Sequence, residues 1–220
     1  MNLLERLKAD NQADWNAYIG HDFVTKLADG TLPEASFKHY LGQDYLFLIQ
    51  FARAYALAAY KSESLADIRQ AAGGLAVILD LEMDLHVKFC ADWGLSETDM
   101  EALPEAQETM AYTRYVLEKG LAGDLLDLHV ALAPCIIGYA EIGAALKDKT
   151  ADNLADNPYG AWIEMYASND YQELAAAEIE QLDSLMASRG GEGRFTTLSK
   201  TFNQATRLEI GFWQMGLDVS

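Results

Sequence analysis

The chain has 220 residues, half of them hydrophobic, with a mean hydropathy of -0.07, and this size suits a single domain around one well-buried core. Asp and Glu number 34 against 16 Lys and Arg, a formal net charge of -18; so acidic a surface repels phosphate backbones and anionic bilayers, which argues against nucleic acid and membrane as partners. No apolar run reaches the ~18 residues of a membrane span, and the opening "MNLLERLKAD" sets charges where a secretory signal needs an apolar stretch, so a cytoplasmic location is expected.

Apolar residues recur at steps of three and four along the whole chain, and no segment alternates with period two for long enough to make a strand. The chain is therefore expected to be all-α, one helical domain over residues 1–220. Helices are predicted over 2–20, 33–60, 64–93, 97–120, 124–148, 158–168, 170–188 and 194–217. The second opens on Thr31-x-x-Glu34, the pattern of a capping box, with Pro33 in its first turn. Its apolar seam runs Phe37, Leu41, Asp44, Leu48, Phe51, Tyr55, which places a carboxylate in the middle of a core stripe.

The third helix gives Ile68, Ala72, Leu75, Leu79, Glu82, His86, Phe89 and Trp93, aiming Glu82 and His86 inward one turn apart. The fifth gives Leu125, Leu128, Leu132, Cys135, Tyr139, Ile142 and Leu146. Within it, Pro134 cannot donate to the carbonyl of Val130, so a kink is expected just before Cys135, and Gly138 and Gly143 leave room beside it. Asn157-Pro158 resembles a cap with proline at the first helical position, and "GGEG" at 190–193 breaks the pattern. The last helix gives Phe195, Leu198, Phe202, Ala205, Glu209, Phe212 and Gly216.

Four helices thus turn polar or reactive groups inward. A single interruption of a seam is explained by one hydrogen-bonded core residue. Three buried carboxylates are another matter, because each unpaired ion costs several kcal/mol, and a polar pocket gives them a shared reason. Cys135 and Tyr139, four residues apart, face the same space. A thiol, proton-transferring carboxylates and many aromatic rings suit covalent chemistry on a flat heteroaromatic ring. Cys90 and Cys135 lie on separate helices outside any cysteine framework, so both are expected as free thiols. A two-iron site is disfavoured, because Glu82-x-x-x-His86 is one residue longer than Glu-x-x-His and has no second copy; no metal is expected. There is no phosphate-binding glycine loop and no Gly-x-Ser-x-Gly elbow.

The stretches "DGTLPEASFKHYLGQDYLFL", "LEMDLHVKF", "PCIIGYAEIG", "NPYGAWIEMYAS" and "EIGFWQM", in this order and spacing, resemble the TenA proteins, also called thiaminase II or aminopyrimidine aminohydrolases. The resemblance runs along most of the chain. It implies one TenA-like domain over residues 1–220, a haem-oxygenase-like helical bundle without haem or other cofactor, assembled as a homotetramer. It also implies hydrolysis between a pyrimidine's exocyclic methylene and its leaving group, returning hydroxymethylpyrimidine to thiamin synthesis as a salvage step. By this likeness Cys135 is the nucleophile and Glu209 the acid/base. Asp44 holds the aminopyrimidine edge, Phe47, Tyr112, Tyr139 and Tyr166 line or stack on the ring, and Glu82 and His86 support the site. Phe47 departs from the pattern, since members often carry tyrosine there. Relatives described as transcriptional activators find no support in the -18 charge. Two rival readings are a metal-dependent oxidase with Asp44, Glu82, His86 and Glu209 as ligands, and a non-catalytic aminopyrimidine-binding protein.

Overall fold

The computed structural model describes all residues, Met1–Ser220, and contains helices and no strand. Helix α1 (Leu3–Asp10) starts with a capping box, in which Asn2 accepts from the Glu5 backbone and Glu5 accepts in return. The predicted 2–20 helix divides at Asn11, whose side-chain amide donates to the Leu7 carbonyl and to Ser199, and α2 (Gln12–Ile19) follows. A short helix that the periodicity did not reveal, α3 (Asp22–Ala28), ends in a Schellman closure: Gly30, at φ 68°, donates to Leu27 and Thr31 donates to Lys26. Thr31 is therefore committed to the end of α3. The capping box expected at Thr31 and Glu34 does not form; Pro33 is the cap residue of α4 (Glu34–Lys61), and Glu34 pairs with Lys38 instead.

Helix α5 (Leu65–Val77) continues through a π-helical turn, Ile78–Glu82, into α6 (Met83–Asp92). The wider turn shifts the register relative to a regular helix. The buried stripe upstream is consequently Ala71, Gly74 and Ile78, while Ile68 and Leu79 of the expected seam are 38% and 46% exposed. Downstream of the turn, Glu82 and His86 are buried as expected. The predicted 97–120 helix is two helices, α7 (Glu97–Glu101), capped by Ser96, and α8 (Gln107–Ala122), with Pro104 in the interval.

Helix α9 (Leu125–Lys149) begins on an Asp124 capping box and passes through Pro134 as one continuous helix. By length and hydropathy it could cross a membrane, yet 89% of its apolar window is buried inside this fold. It is the central core helix, packed against α8 and α4 and against three later elements: α10 (Gly160–Tyr166), α11 (Asn169–Arg189) and α12 (Glu192–Asp218). Gly138 and Gly143 admit close neighbours, since a Cβ at either would stand 2.2 Å from the Tyr18 ring or 2.6 Å from the Tyr166 backbone. Asn157 caps the turn before α10 rather than the helix, accepting from Tyr159 N while its amide donates to the Leu27 and Ala28 carbonyls. The 56 buried hydrophobic residues form one contiguous core, which seats α4, α6, α9 and α12 with their seams facing one another.

Candidate active site

The polar seam residues converge. Asp44 from α4, Glu82 and His86 at the start of α6, Cys135 and Tyr139 from α9, Tyr166 from α10 and Glu209 from α12 are all buried, Cys135 being the most accessible at 6%. Tyr112 of α8 joins them through a 2.9 Å hydrogen bond from its hydroxyl to Glu209 Oε1.

The cluster has two chemically different sides. On the first, Asp44 Oδ2 lies 2.7 Å from His86 Nε2 and accepts at 2.9 Å from the Tyr40 hydroxyl. His86 Nδ1 lies 2.7 Å from the backbone carbonyl of Glu82. Both ring nitrogens face oxygen atoms. Burial alone would lower the His86 pKa, but the hydrogen bond and charge of Asp44 override it and raise the value. The Tyr40 oxygen accepts from Trp162 Nε1 at 3.3 Å and sits 3.4 Å from the Tyr139 hydroxyl. Oδ2 of Asp44 is thereby held by groups from two helices, α4 and α6.

On the second side, Cys135 and Glu209 lie close enough to perturb each other's titration, and the Tyr112 hydroxyl donates to Glu209 Oε1. No cation reaches this pair. Burial pushes Glu209 up to about 8, the charge of Asp44 adding to the effect against the Tyr112 hydrogen bond and the neighbouring Cys135 thiol. Glu82, which accepts from the Tyr166 hydroxyl at 3.1 Å, is likewise raised to about 8 by burial and by Asp44, with His86 opposing. The thiol rises well above its ordinary value, first through burial and then through the carboxylates of Glu209, Glu82 and Asp44. Cys135 therefore rests as a thiol.

Aromatic rings wall the cluster. Phe47 lies 5.0 Å from Tyr112 and 5.5 Å from Phe212 between ring centroids. Tyr139 packs 4.8 Å from Tyr166 and 5.1 Å from Trp213. Every residue singled out on the seams is in this cluster. Tyr40, Trp162 and Trp213 were missed, although Tyr40 stands one turn before Asp44 and its position was readable from that spacing. Trp162 and Trp213 come close only through tertiary packing. No group of three or more His, Cys, Asp and Glu side chains is arranged to hold a metal ion, because His86 spends both nitrogens on Asp44 and the Glu82 carbonyl.

The helical packing and the buried cluster define a haem-oxygenase-like protein: a domain from Shewanella denitrificans OS217 described as having a heme oxygenase-like fold superposes with a TM-score of 0.75 at 14% identity, covering 98% of this chain and 92% of that one. Residues 9–219 match the TENA/THI-4/PQQC family, and the chain belongs to that family. An aminopyrimidine aminohydrolase from Halalkalibacterium halodurans is 37% identical over 98% of this chain and 95% of its own length. The crystal structure of a TenA family transcription regulator from Silicibacter sp. TM1040 is similar with a TM-score of 0.92 at 44% identity, covering 98% and 96%.

Proposed function

We propose that this protein is an aminopyrimidine aminohydrolase, taking aminomethylpyrimidine or thiamin to hydroxymethylpyrimidine by covalent catalysis at Cys135. The observation that carries the proposal is the burial together of Cys135, of Glu209 held by the Tyr112 hydroxyl, and of Asp44 anchored by His86 and Tyr40, within one aromatic cluster. Asp44 Oδ1 accepts from the amino and ring N–H edge of the pyrimidine, which places the ring among Phe47, Tyr139 and Tyr166. The ionised form of Glu209, accessible near its pKa of about 8, takes the thiol proton as sulfur adds to a ring carbon. The electrons released through the ring expel the leaving group from the exocyclic methylene, and Glu209 returns the proton to an amine; a thiazolium departs as neutral thiazole without it, and Glu209 then loses that proton to solvent. Water then adds to the methylene, giving its proton to Glu209, and sulfur departs to restore the aromatic ring and the thiol. The balance is one water consumed and one amine or thiazole released.

Tyr112 holds Glu209 in line, while Glu82, Tyr166 and His86 keep the opposite wall in place. We further propose that the reaction serves thiamin salvage in the cytoplasm. The exposed apolar side chains of Leu65 and Ile68 on α5 support a homotetrameric assembly, testable by light scattering. The reaction is tested by incubating the purified protein with aminomethylpyrimidine and with thiamin and detecting hydroxymethylpyrimidine by mass; product from neither compound would overturn the proposal. Unchanged release of the bound compound would mark a carrier rather than an enzyme.

A further inference from the structure

A cleft of about 300 Å³ opens between α5 and α11, on the flank of the cluster where α4 and α9 run side by side. Its lining includes three carboxylates, Asp170, Glu173 and Glu178, and no lysine or arginine. Glu178 is buried and paired to the equally buried His129 of α9 at 2.8 Å, which fixes the wall six residues before Cys135 on the same helix. Tyr55 of α4 stands in the cleft wall at the end of an aromatic row that runs through Phe51 and Phe47 to Tyr112, the partner of Glu209. It is 2% exposed, lines the cleft, and its hydroxyl has no hydrogen-bond partner.

An unpaired buried hydroxyl costs ~1–3 kcal/mol, and the neighbouring positions show what α4 uses when no partner is needed. Phe47 and Phe51 stack at 5.1 Å, and Phe51 meets Tyr55 edge-on at 6.0 Å; a phenylalanine at 55 would continue that ladder at no polar cost. The Tyr55 ring rests on Gly74, where a Cβ would stand 2.2 Å from Cε1. On that side the ring is seated against bare backbone. Burial raises the Tyr55 pKa most, and the next causes are Glu178 on the cleft side, then Cys135 and Glu82 in the cluster.

Resting on the hydrolase reading above, we propose that this cleft is the port through which the leaving-group end of a cationic aminopyrimidine approaches Cys135, with Tyr55 as its gate and hydrogen-bond partner. The acidic lining raises the local concentration of a cation such as a thiazolium. The Tyr55 hydroxyl gains its missing partner when the ring turns and a polar substituent passes.

The port is tested by plugging it. Gly73 lines the cleft, and a Cβ there meets nothing within 4 Å, so Gly73→Phe fills the space and improves helix propensity. Alkylation by N-ethylmaleimide is followed by peptide mass on the intact protein. Gly73→Phe is expected to slow modification of Cys135 by about tenfold or more, with Cys90 within about twofold of wild type. Ala177→Phe on the opposite wall repeats the test if the first variant does not fold. Unchanged Cys135 alkylation in a folded plug variant would overturn the port, whether or not the protein hydrolyses anything. In turnover, Asp170→Asn/Glu173→Gln is expected to lower kcat/KM for cationic thiamin by about three- to tenfold, and to change a neutral formylated aminomethylpyrimidine by less than about twofold. Equal losses on both compounds would overturn the cationic preference. A wild type inactive on every compound would instead count against the hydrolase reading, with the alkylation result still deciding the port.

Discussion

Asp44 and Glu209 are both carboxyl groups buried in one cluster, yet their surroundings differ. Asp44 is met by the His86 imidazole and by the Tyr40 hydroxyl, so its position is locked. Glu209 meets a phenol and a thiol and no cation, and burial holds its pKa at about 8. The difference separates anchoring from chemistry: a fixed anion suits recognition of N–H donors, while a carboxyl poised near neutrality gives and takes a proton at little cost.

The sharpest way to break the comparison is at the thiol. Cys135→Ser keeps size and fold, but its hydroxyl is a far weaker acid, so release of hydroxymethylpyrimidine is expected to fall by about three orders of magnitude or more while substrate still binds. Full turnover in folded Cys135→Ser protein would mean the thiol only packs. Next come the two carboxyls themselves. Glu209→Gln removes proton transfer and is expected to cost about 10²–10⁴ in kcat, whereas Asp44→Asn should raise KM by about tenfold or more with a smaller effect on kcat. Identical kinetic signatures in the two variants would erase the distinction between the two sides.

A smaller effect follows from pH. Glu82 and Glu209 are raised from 4.5 to about 8 in the folded protein, so the native state holds protons that the unfolded chain releases. Their contribution to stability is complete below about pH 4.5 and is lost as pH climbs through about 8. The melting temperature of Glu82→Gln relative to wild type is therefore expected to be higher at pH 9 than at pH 6, because the amide never has to ionise. A constant difference across that range would contradict the assignment. The smallest change is expected from Cys90→Ser: Cys90 is buried and outside the cluster's hydrogen bonds, its thiol raised to about 11 by burial alone, and kinetics should match wild type on measured kcat/KM.

How legible this arrangement was depends on the range of the interaction. Asp44, Glu82, His86, Cys135 and Glu209 announced themselves because helical period fixes which face a residue takes, and a polar residue on an apolar face is conspicuous. Which of them pair was not legible: His86 and Asp44 are 42 residues apart, and Tyr112 and Glu209 are 97 apart, distances bridged only by packing. The π-helical turn at Ile78–Glu82 escaped detection because nothing in "ILDLE" distinguishes it from regular helix. It displaced the upstream seam while leaving the functional end of the helix in place. Helix α3 was missed because seven residues carry too few periods, and its end is set by the Gly30 closure rather than by a stripe. Tyr55 was read as one more seam aromatic; its unpaired hydroxyl becomes visible only when every neighbour is known.

The contrast between the two sides rests on where the protons are, and infrared spectroscopy of the carboxyl groups reads that directly. Difference spectra between wild type and Glu209→Gln, recorded across pH 5 to 10, should show a protonated carboxyl stretch assigned to Glu209 that persists at neutral pH and disappears with a midpoint near 8. A Glu209 carboxylate already ionised at pH 6 would contradict the account.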